Sequence, residues 1–163
     1  MKKAIICLAL IICVLTTAVS AQELIKTGVV IKIGHNTAVV NGEYKTLDVP
    51  AEIISGRTFV PLRFCTEALG ASVNYIDASK TAVIKKDDIT LELMLDKSVY
   101  KVNGELFESD VPPVLKNDRI LVPVRVVSES LKTEVNWIED AQIVTLGVLD
   151  NKTAVDGYLK NLF

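Results

Sequence analysis

Two pairs of oppositely charged residues are spaced so that they could form a binding site. Arg63 and Glu67 are four residues apart, and so are Arg125 and Glu129. If each pair lies on a helix, its side chains share one helical face, because residues four apart are neighbours there. A guanidinium held in this way can clamp a carboxylate, such as that of an acidic glycan. The alternative is structural, with each arginine tying its helix to a neighbouring hairpin.

We favour the structural interpretation of both arginines, because each lies in a motif of prolines and valines that determines a fold. The expected partners are the carboxylates of Asp48 and Asp110, or strand carbonyls. This predicts that Arg63→Ala and Arg125→Ala lower the melting temperature, since each would leave a buried or half-buried group without its hydrogen bond. Variants that keep their stability but lose a ligand would favour the functional interpretation instead.

The other residue types that carry catalysis or bind metals do not form a site. Copper bound by several imidazoles is excluded by the single histidine, His35. The chain has no Gly-x-Ser-x-Gly, and Cys65 lies on the apolar face of an expected helix, where cysteine behaves as a small hydrophobe. Acids such as Asp87-Asp88 lie in loops, and no pair spans a cleft. We therefore predict no catalytic, cofactor-binding or metal-binding residues, no cofactor and no enzyme activity.

The first residues have the layout of a secretory signal peptide. Lys2 and Lys3 precede an apolar run, and small residues end the segment at Val19-Ser20-Ala21. The apolar run breaks at Thr16-Thr17, which is too early for a membrane span. We expect residues 1–21 to be removed on export, which leaves a secreted or cell-surface protein without a stable membrane span.

Removal of this segment changes the charge and the cysteine content. The 18 basic side chains of the full chain would fall by two against 20 acidic ones. The resulting net charge of about −4 argues against a nucleic-acid partner. Cys7 and Cys13 would also leave, so Cys65 could form no disulfide within one chain. Half of the residues are apolar, which favours a globular fold held by its core alone.

An internal repeat organises the rest of the chain. A shift of about 62 residues places NGEYKTLDVP on NGELFESDVP, Val-Pro-Leu-Arg on Val-Pro-Val-Arg, and Arg57 on Arg119. We assign the first repeat to residues 28–86 and the second to residues 87–148. The linker KKDDIT is short, and we interpret its paired charges as a solvated turn. It favours two units packed side by side as one body.

Each repeat predicts the same order of elements. Asn41-Gly42 and Asn103-Gly104 each separate two alternating stretches, which is typical of a hairpin with a tight turn. A short strand follows, and Pro61 or Pro123 marks the start of a helix. Two more strands complete each repeat. The predicted fold class is α+β, with two tandem repeats, each an antiparallel sheet of short strands packed around one helix.

The C-terminal tail, residues 149–163, is predicted to add a further helix. Its apolar residues fall on one side, apart from an interruption at Gly157; they are Ala154, Val155, Tyr158, Leu159 and Leu162. We expect this helix to dock on a sheet. The alternative is a tail that binds a partner or faces the cell wall.

These motifs together resemble the copper amine oxidase N-terminal domain-like family. The resemblance is carried by Asn-Gly, Arg-Thr-Phe-Val-Pro-Leu-Arg and Ala-Leu-Gly within NGEYKTLDVPAEIISGRTFVPLRFCTEALGASVNYI, and it covers residues 29–147. It implies an α+β stalk module of the kind common in secreted and cell-surface proteins of Gram-positive bacteria. The second copy departs from the pattern, with Asp118 in place of Gly56 and Lys132 in place of Gly70. The second helix must therefore end differently or hold its lysine in a strained conformation.

The resemblance does not imply copper chemistry in this chain. In the copper amine oxidases, copper and the tyrosine-derived quinone belong to a separate catalytic domain, which nothing here resembles. Tyr75, in Asn-Tyr-Ile-Asp, superficially resembles the quinone context, but its repeat counterpart Trp137 cannot form that cofactor. We expect both aromatic residues to fill space in the core or across strands.

The sequence thus predicts a secreted, non-catalytic stalk or binding module at the bacterial cell envelope. Its expected partner is a cell-wall polysaccharide or another envelope protein, with Tyr44, Tyr100 or Phe107 as stacking surfaces for a glycan. The alternative is a small extracellular hydrolase or a metal-dependent enzyme. A binding site is expected where the two copies differ, or at the seam between them, rather than in the motif that they share.

Overall fold

A computed structural model describes residues 28–147, which form fourteen β-strands and two α-helices. The first repeat forms β1 (Val29–Lys32), β2 (Thr37–Val40), β3 (Glu43–Thr46), β4 (Glu52–Ile54), β5 (Arg57–Pro61), α1 (Leu62–Ala68), β6 (Ser72–Ile76) and β7 (Thr81–Lys86). The second forms β8 (Ile89–Met94), β9 (Val99–Val102), β10 (Glu105–Glu108), β11 (Val114–Lys116), β12 (Arg119–Pro123), α2 (Val124–Ser130), β13 (Val135–Ile138) and β14 (Ile143–Leu146). A 3-10 turn precedes the last strand of each repeat, at Asp77–Ser79 and Glu139–Ala141.

Each of the three antiparallel sheets takes strands from both repeats. One five-stranded sheet has the order β13-β14-β1-β2-β3, and the other has the order β10-β9-β8-β7-β6. The four-stranded sheet, β11-β12-β5-β4, has two strands from each repeat. The structure therefore confirms antiparallel α+β architecture with two helices, and it answers a question that the sequence left open, because the repeats share their sheets.

The linker between the repeats explains why they share sheets. Asp87 and Asp88 form a two-residue turn, with Asp87 at a φ of 50°, so that Lys86 pairs with Ile89. A turn this tight makes β7 and β8 antiparallel neighbours. The last strand of the first repeat and the first strand of the second must therefore lie in one sheet.

The repeats meet at a local two-fold axis in the four-stranded sheet. Val60 pairs with Val122, its own counterpart in the other repeat. On either side of it, Phe59 pairs with Pro123 and Pro61 pairs with Leu121. These two pairs are also counterparts, because Phe59 is equivalent to Leu121 and Pro61 is equivalent to Pro123 in the repeat. A pair of equivalent residues that face each other in antiparallel strands lies on the axis that relates the two copies.

The predicted Asn-Gly turns are confirmed in both repeats. Asn41 and Asn103 each have a φ of 51°, and the glycine that follows each has a φ of 84°. This left-handed pair is the type I′ geometry that matches the twist of a hairpin. Each asparagine side chain also accepts a hydrogen bond from the backbone of the neighbouring strand, from Gly28 N at 3.0 Å and from Thr90 N at 2.7 Å.

Both predicted helices are present, and each begins after its proline. Pro61 and Pro123 end β5 and β12 and occupy the position just before the first helical turn. The helices end on left-handed residues, Gly70 at a φ of 81° and Lys132 at 50°. The second helix therefore uses the same ending with a strained lysine.

One hydrophobic core joins all three sheets and both helices. It includes Ile31 from the first sheet, Leu91 from the second, Val60 and Val122 from the central sheet, and Val127 from α2. The other face of the central sheet is covered by a smaller cluster of Val49, Phe59 and Leu121. Because both faces of the central sheet are covered, the repeats form a single packed body.

The predicted signal peptide, residues 1–21, and the predicted tail helix, residues 149–163, lie outside the described residues. Within residues 28–147, no helix has the length and apolar character that a membrane crossing requires.

Candidate functional site: twin grooves between the repeats

Among residues 28–147, three ion pairs cross between the repeats; one joins Lys116 to Glu52 at 2.6 Å, and the other two involve strand arginines. Arg57 of β5 pairs with Asp110 of the second repeat. Arg119 of β12 pairs with Asp48 of the first, with 2.6 Å between its Nε and Oδ2. The two pairs are equivalent under the repeat offset. The carboxylates of Asp48 and Asp110 thus bind strand arginines of the opposite repeat, rather than the helix arginines that the sequence predicted.

The helix arginines are solvent-exposed. Arg63 lies 3.6 Å from Glu67, measured from Nη1 to Oε1, and both side chains are more than half exposed. That distance is too long for a hydrogen bond, although the pair shares one helical face as predicted. Arg125 is also exposed, and its guanidinium forms no ion pair or hydrogen bond with any residue between 28 and 147, although its backbone carbonyl accepts a hydrogen bond from Ser128 Oγ at 3.1 Å. The expectation that these arginines satisfy buried groups is therefore wrong.

A groove flanks each side of the central axis. The first groove has a volume of about 730 Å³ and lies beside α1. Its lining residues are Thr46, Asp48, Val49, Pro61, Leu62, Arg63, Phe64, Glu67, Tyr75, Asp77, Leu115, Asp118, Arg119 and Ile120. The second groove has a volume of about 520 Å³ and lies beside α2. Its lining residues are Ile53, Gly56, Arg57, Thr58, Ser109, Asp110, Pro123, Val124, Arg125, Val135, Asn136, Trp137, Glu139, Gln142 and Val144.

The two grooves are related by the repeat. Their equivalent lining residues are Asp48 and Asp110, Pro61 and Pro123, Leu62 and Val124, Arg63 and Arg125, Tyr75 and Trp137, Asp77 and Glu139, Leu115 and Ile53, Asp118 and Gly56, Arg119 and Arg57, and Ile120 and Thr58. Each groove takes residues from both repeats and so lies at the seam where we expected a site. The proline and arginine of the shared Val-Pro-aliphatic-Arg motif nevertheless line each groove. The sequence analysis had expected a site outside this motif.

The charges differ between the two grooves. In the first groove, Arg63 and Arg119 face four carboxylates, those of Asp48, Glu67, Asp77 and Asp118. In the second groove, Arg57 and Arg125 face two, those of Asp110 and Glu139. Divergence of the copies has therefore left the first groove acidic and the second balanced.

Two of the three aromatic residues that were expected to be exposed are so. Tyr44 is 61% exposed and Phe107 is 40% exposed, but Tyr100 is only 7% exposed, which removes it as a stacking surface. Tyr100 instead stacks on Phe107 across the β9–β10 ladder, with ring centroids 5.7 Å apart. Burial raises the pKa of its hydroxyl, and the nearby carboxylate of Glu129 raises it further.

The repeat-related aromatic residues of the two grooves behave differently. Tyr75 is partly buried against the main core, as predicted. Trp137 is 40% exposed on β13, an edge strand, opposite Val144 of β14. Trp137 is therefore not a core residue, but it does face Val144 across the strands, which was the other expectation. The difference between tyrosine and tryptophan was visible in the sequence, but the exposure of the indole was not.

Cys65 and His35 occupy the places that the sequence indicated. The Cys65 side chain is fully buried on α1, and burial raises the pKa of its thiol. His35 is exposed in the loop between β1 and β2. Across the described part of the chain, no three or more histidine, cysteine, aspartate or glutamate residues are grouped so that they could hold a metal ion.

The protein is a small α+β module. Its two repeats have the same order of strands and share their sheets, and the grooves lie where the repeats meet. The family of the copper amine oxidase N-terminal domain matches the chain twice, over residues 15–78 and 55–146. The protein belongs to this family, as the motifs had indicated. The copper amine oxidase N-terminal domain is a non-catalytic module. No curated protein matches the chain.

Proposed function

We propose that the protein is a secreted, non-catalytic binding module of the bacterial cell envelope, and that its partner is a cell-wall polysaccharide. Membership of a non-catalytic family supports a binding role over the alternative of a hydrolase or metal-dependent enzyme. The signal-peptide layout of residues 1–21 supports export.

The observation that carries the proposal is the pair of open grooves at the seam between the repeats. Their volumes, about 730 and 520 Å³, lie within the range of roughly 300–1,000 Å³ that is typical of small-molecule sites. Each combines arginine side chains with an aromatic ring, Tyr75 in one and Trp137 in the other. Aromatic faces and guanidinium groups suit ligands that have both apolar ring surfaces and polar substituents.

A sedimentation assay on isolated cell walls tests the binding role. We expect the exported chain to sediment with walls that keep their polysaccharide and to remain in solution with walls stripped of it. Recovery of the protein in the supernatant with both preparations would contradict the proposal. The stripped wall is the control for trapping of the protein in insoluble material.

Export and the absence of a bound metal can be tested on the same preparation. The secreted protein should have a mass that corresponds to loss of residues 1–21, and a cytoplasmic fraction that holds all of the chain would contradict export. Metal analysis of the purified protein should find neither copper nor zinc in stoichiometric amount. One equivalent of tightly bound metal would favour the alternative, a metal-dependent enzyme.

A further inference from the structure

We propose that the second groove, beside α2, is the ligand site and that it binds a saccharide carrying a carboxylate. This inference rests on the proposed function and narrows it to one groove and one ligand chemistry. In this arrangement the sugar ring stacks on Trp137, and its carboxylate binds the guanidinium of Arg125.

The guanidinium of Arg125 favours an anionic ligand because it has no ion-pair partner among residues 28–147. In the first groove the equivalent arginine, Arg63, already faces Glu67 at 3.6 Å. Arg125 has no such partner among residues 28–147, although Glu129 is four residues away on the same helix. A planar guanidinium presents paired donors that match both oxygens of a carboxylate. Arg125 is therefore a cation whose donors remain available to a ligand.

The remaining charges of the second groove are compatible with an anion. Asp110 is neutralised by its ion pair with Arg57, so that Glu139 is the one other carboxylate of the lining. The first groove has two further acids, Asp77 and Asp118, besides those that pair with its arginines. Electrostatic repulsion should therefore exclude an acidic ligand from the first groove and admit it to the second.

Trp137 supplies the surface for the ring of the ligand. Its side chain is 40% exposed, although a tryptophan next to a core is normally well covered. Val135 and Val144 line the groove on the same side, and Asn136 and Gln142 add side-chain amides. An aromatic face flanked by amides and a guanidinium matches a ring with one apolar face and a rim of hydroxyl groups.

The indole of Trp137 is also a direct probe of this site, because it is the only tryptophan in the chain. We would titrate the exported chain with a disaccharide that contains a hexuronic acid and, separately, with its neutral counterpart. The tryptophan fluorescence should change and saturate with the acidic disaccharide, with an affinity at least about tenfold above that for the neutral one. Equal affinities would overturn the role assigned to Arg125.

Matched variants in the two grooves locate the site. Arg125→Ala should weaken binding of the acidic disaccharide by about tenfold or more, because it removes a charge-assisted hydrogen bond. Arg63→Ala changes the equivalent residue of the first groove and should leave the affinity unaltered. Calorimetry should detect no binding by Trp137→Ala. The opposite ranking of the two arginine variants would overturn the assignment to the second groove.

The same variants separate this inference from the proposed function. Wall binding that survives Arg125→Ala and Trp137→Ala would overturn the groove assignment and leave the wall-binding role in place. Binding of the acidic disaccharide without any wall binding would support the groove and contradict the envelope role. Saturation by a peptide with a free C-terminal carboxylate, with no response to either disaccharide, would overturn the choice of a saccharide.

Discussion

Val60 of the first repeat and Val122 of the second face each other at the centre of the four-stranded sheet, and each is the counterpart of the other. Both side chains are fully buried. The contact between the repeats is therefore part of the core, and the two copies should unfold together.

Truncation at this pair should destabilise the whole protein. Val60→Ala is expected to lower the free energy of unfolding by about 2 kcal/mol, because it removes buried methyl groups and leaves a cavity. Urea denaturation should show one transition at a lower midpoint with an unchanged slope. Ile53→Ala, at a position 49% exposed, serves as the control and should change stability by no more than about 0.5 kcal/mol. Two separate transitions would show that the repeats are independent.

A single repeat should not be stable as a monomer. Residues 28–86 lack the strands that complete every sheet, but the two-fold axis allows a second copy to supply them. This segment contains both Asp48 and Arg57, so a symmetric dimer can also re-form the ion pairs between copies. Analytical ultracentrifugation should detect a dimer, and Val60→Asp should abolish it by burying a charge. A folded monomer of residues 28–86 would contradict this arrangement.

The ion pairs between the repeats should contribute little to stability. Arg119 and Asp48 are about half or more exposed, and exposed pairs are worth roughly 0.2–1 kcal/mol. A double-mutant cycle of Arg119→Ala and Asp48→Ala should give a coupling energy in that range, and the coupling should decrease as salt is added. A coupling well above 1 kcal/mol would mean that the pair is less solvated than the structure shows.

Replacement of the strained lysine at the end of α2 should stabilise the protein. Lys132 has a φ of 50°, whereas its counterpart Gly70 adopts the left-handed conformation without strain. Lys132→Gly should raise stability by about 1 kcal/mol, and Gly70→Lys should lower it by a similar amount. Thermal denaturation of both variants measures the effect. Equal melting temperatures of Lys132→Gly and the unmodified protein would show that the lysine is held by contacts that offset its strain.

The buried thiol of Cys65 should make stability depend on pH in the alkaline range. Its pKa in the folded protein is raised above that in the unfolded chain, so the folded state keeps its proton while the unfolded state loses it above about pH 8.5. The stability due to this group is therefore complete below that pH and declines above it by about 1.4 kcal/mol per pH unit. Unfolding free energies at pH 7.5 and 9.5, compared with those of Cys65→Ala, isolate the contribution. A difference between the two proteins that does not change with pH would contradict the prediction.

The sequence by itself determined the elements that depend on neighbouring residues. Asn41-Gly42 specifies its turn because both residues tolerate a positive φ, and Pro61 sets the junction of strand and helix because proline has no N–H to donate. The repeat and the family motifs can likewise be recognised from the sequence alone. These local signals predicted both helices and five of the seven strands that each repeat forms, but they did not predict β4 or β11.

Only the tertiary structure decided how the repeats are combined. Because the two copies share one pattern, β7 could pair equally well with β1 of its own repeat or with β8 of the next, and periodicity does not distinguish these partners. The tight turn at Asp87 selects β8, and the shared sheets that result bring Arg57 to Asp110 of the other repeat. The pairing of strands that are distant in the chain thus determined which residues line each groove.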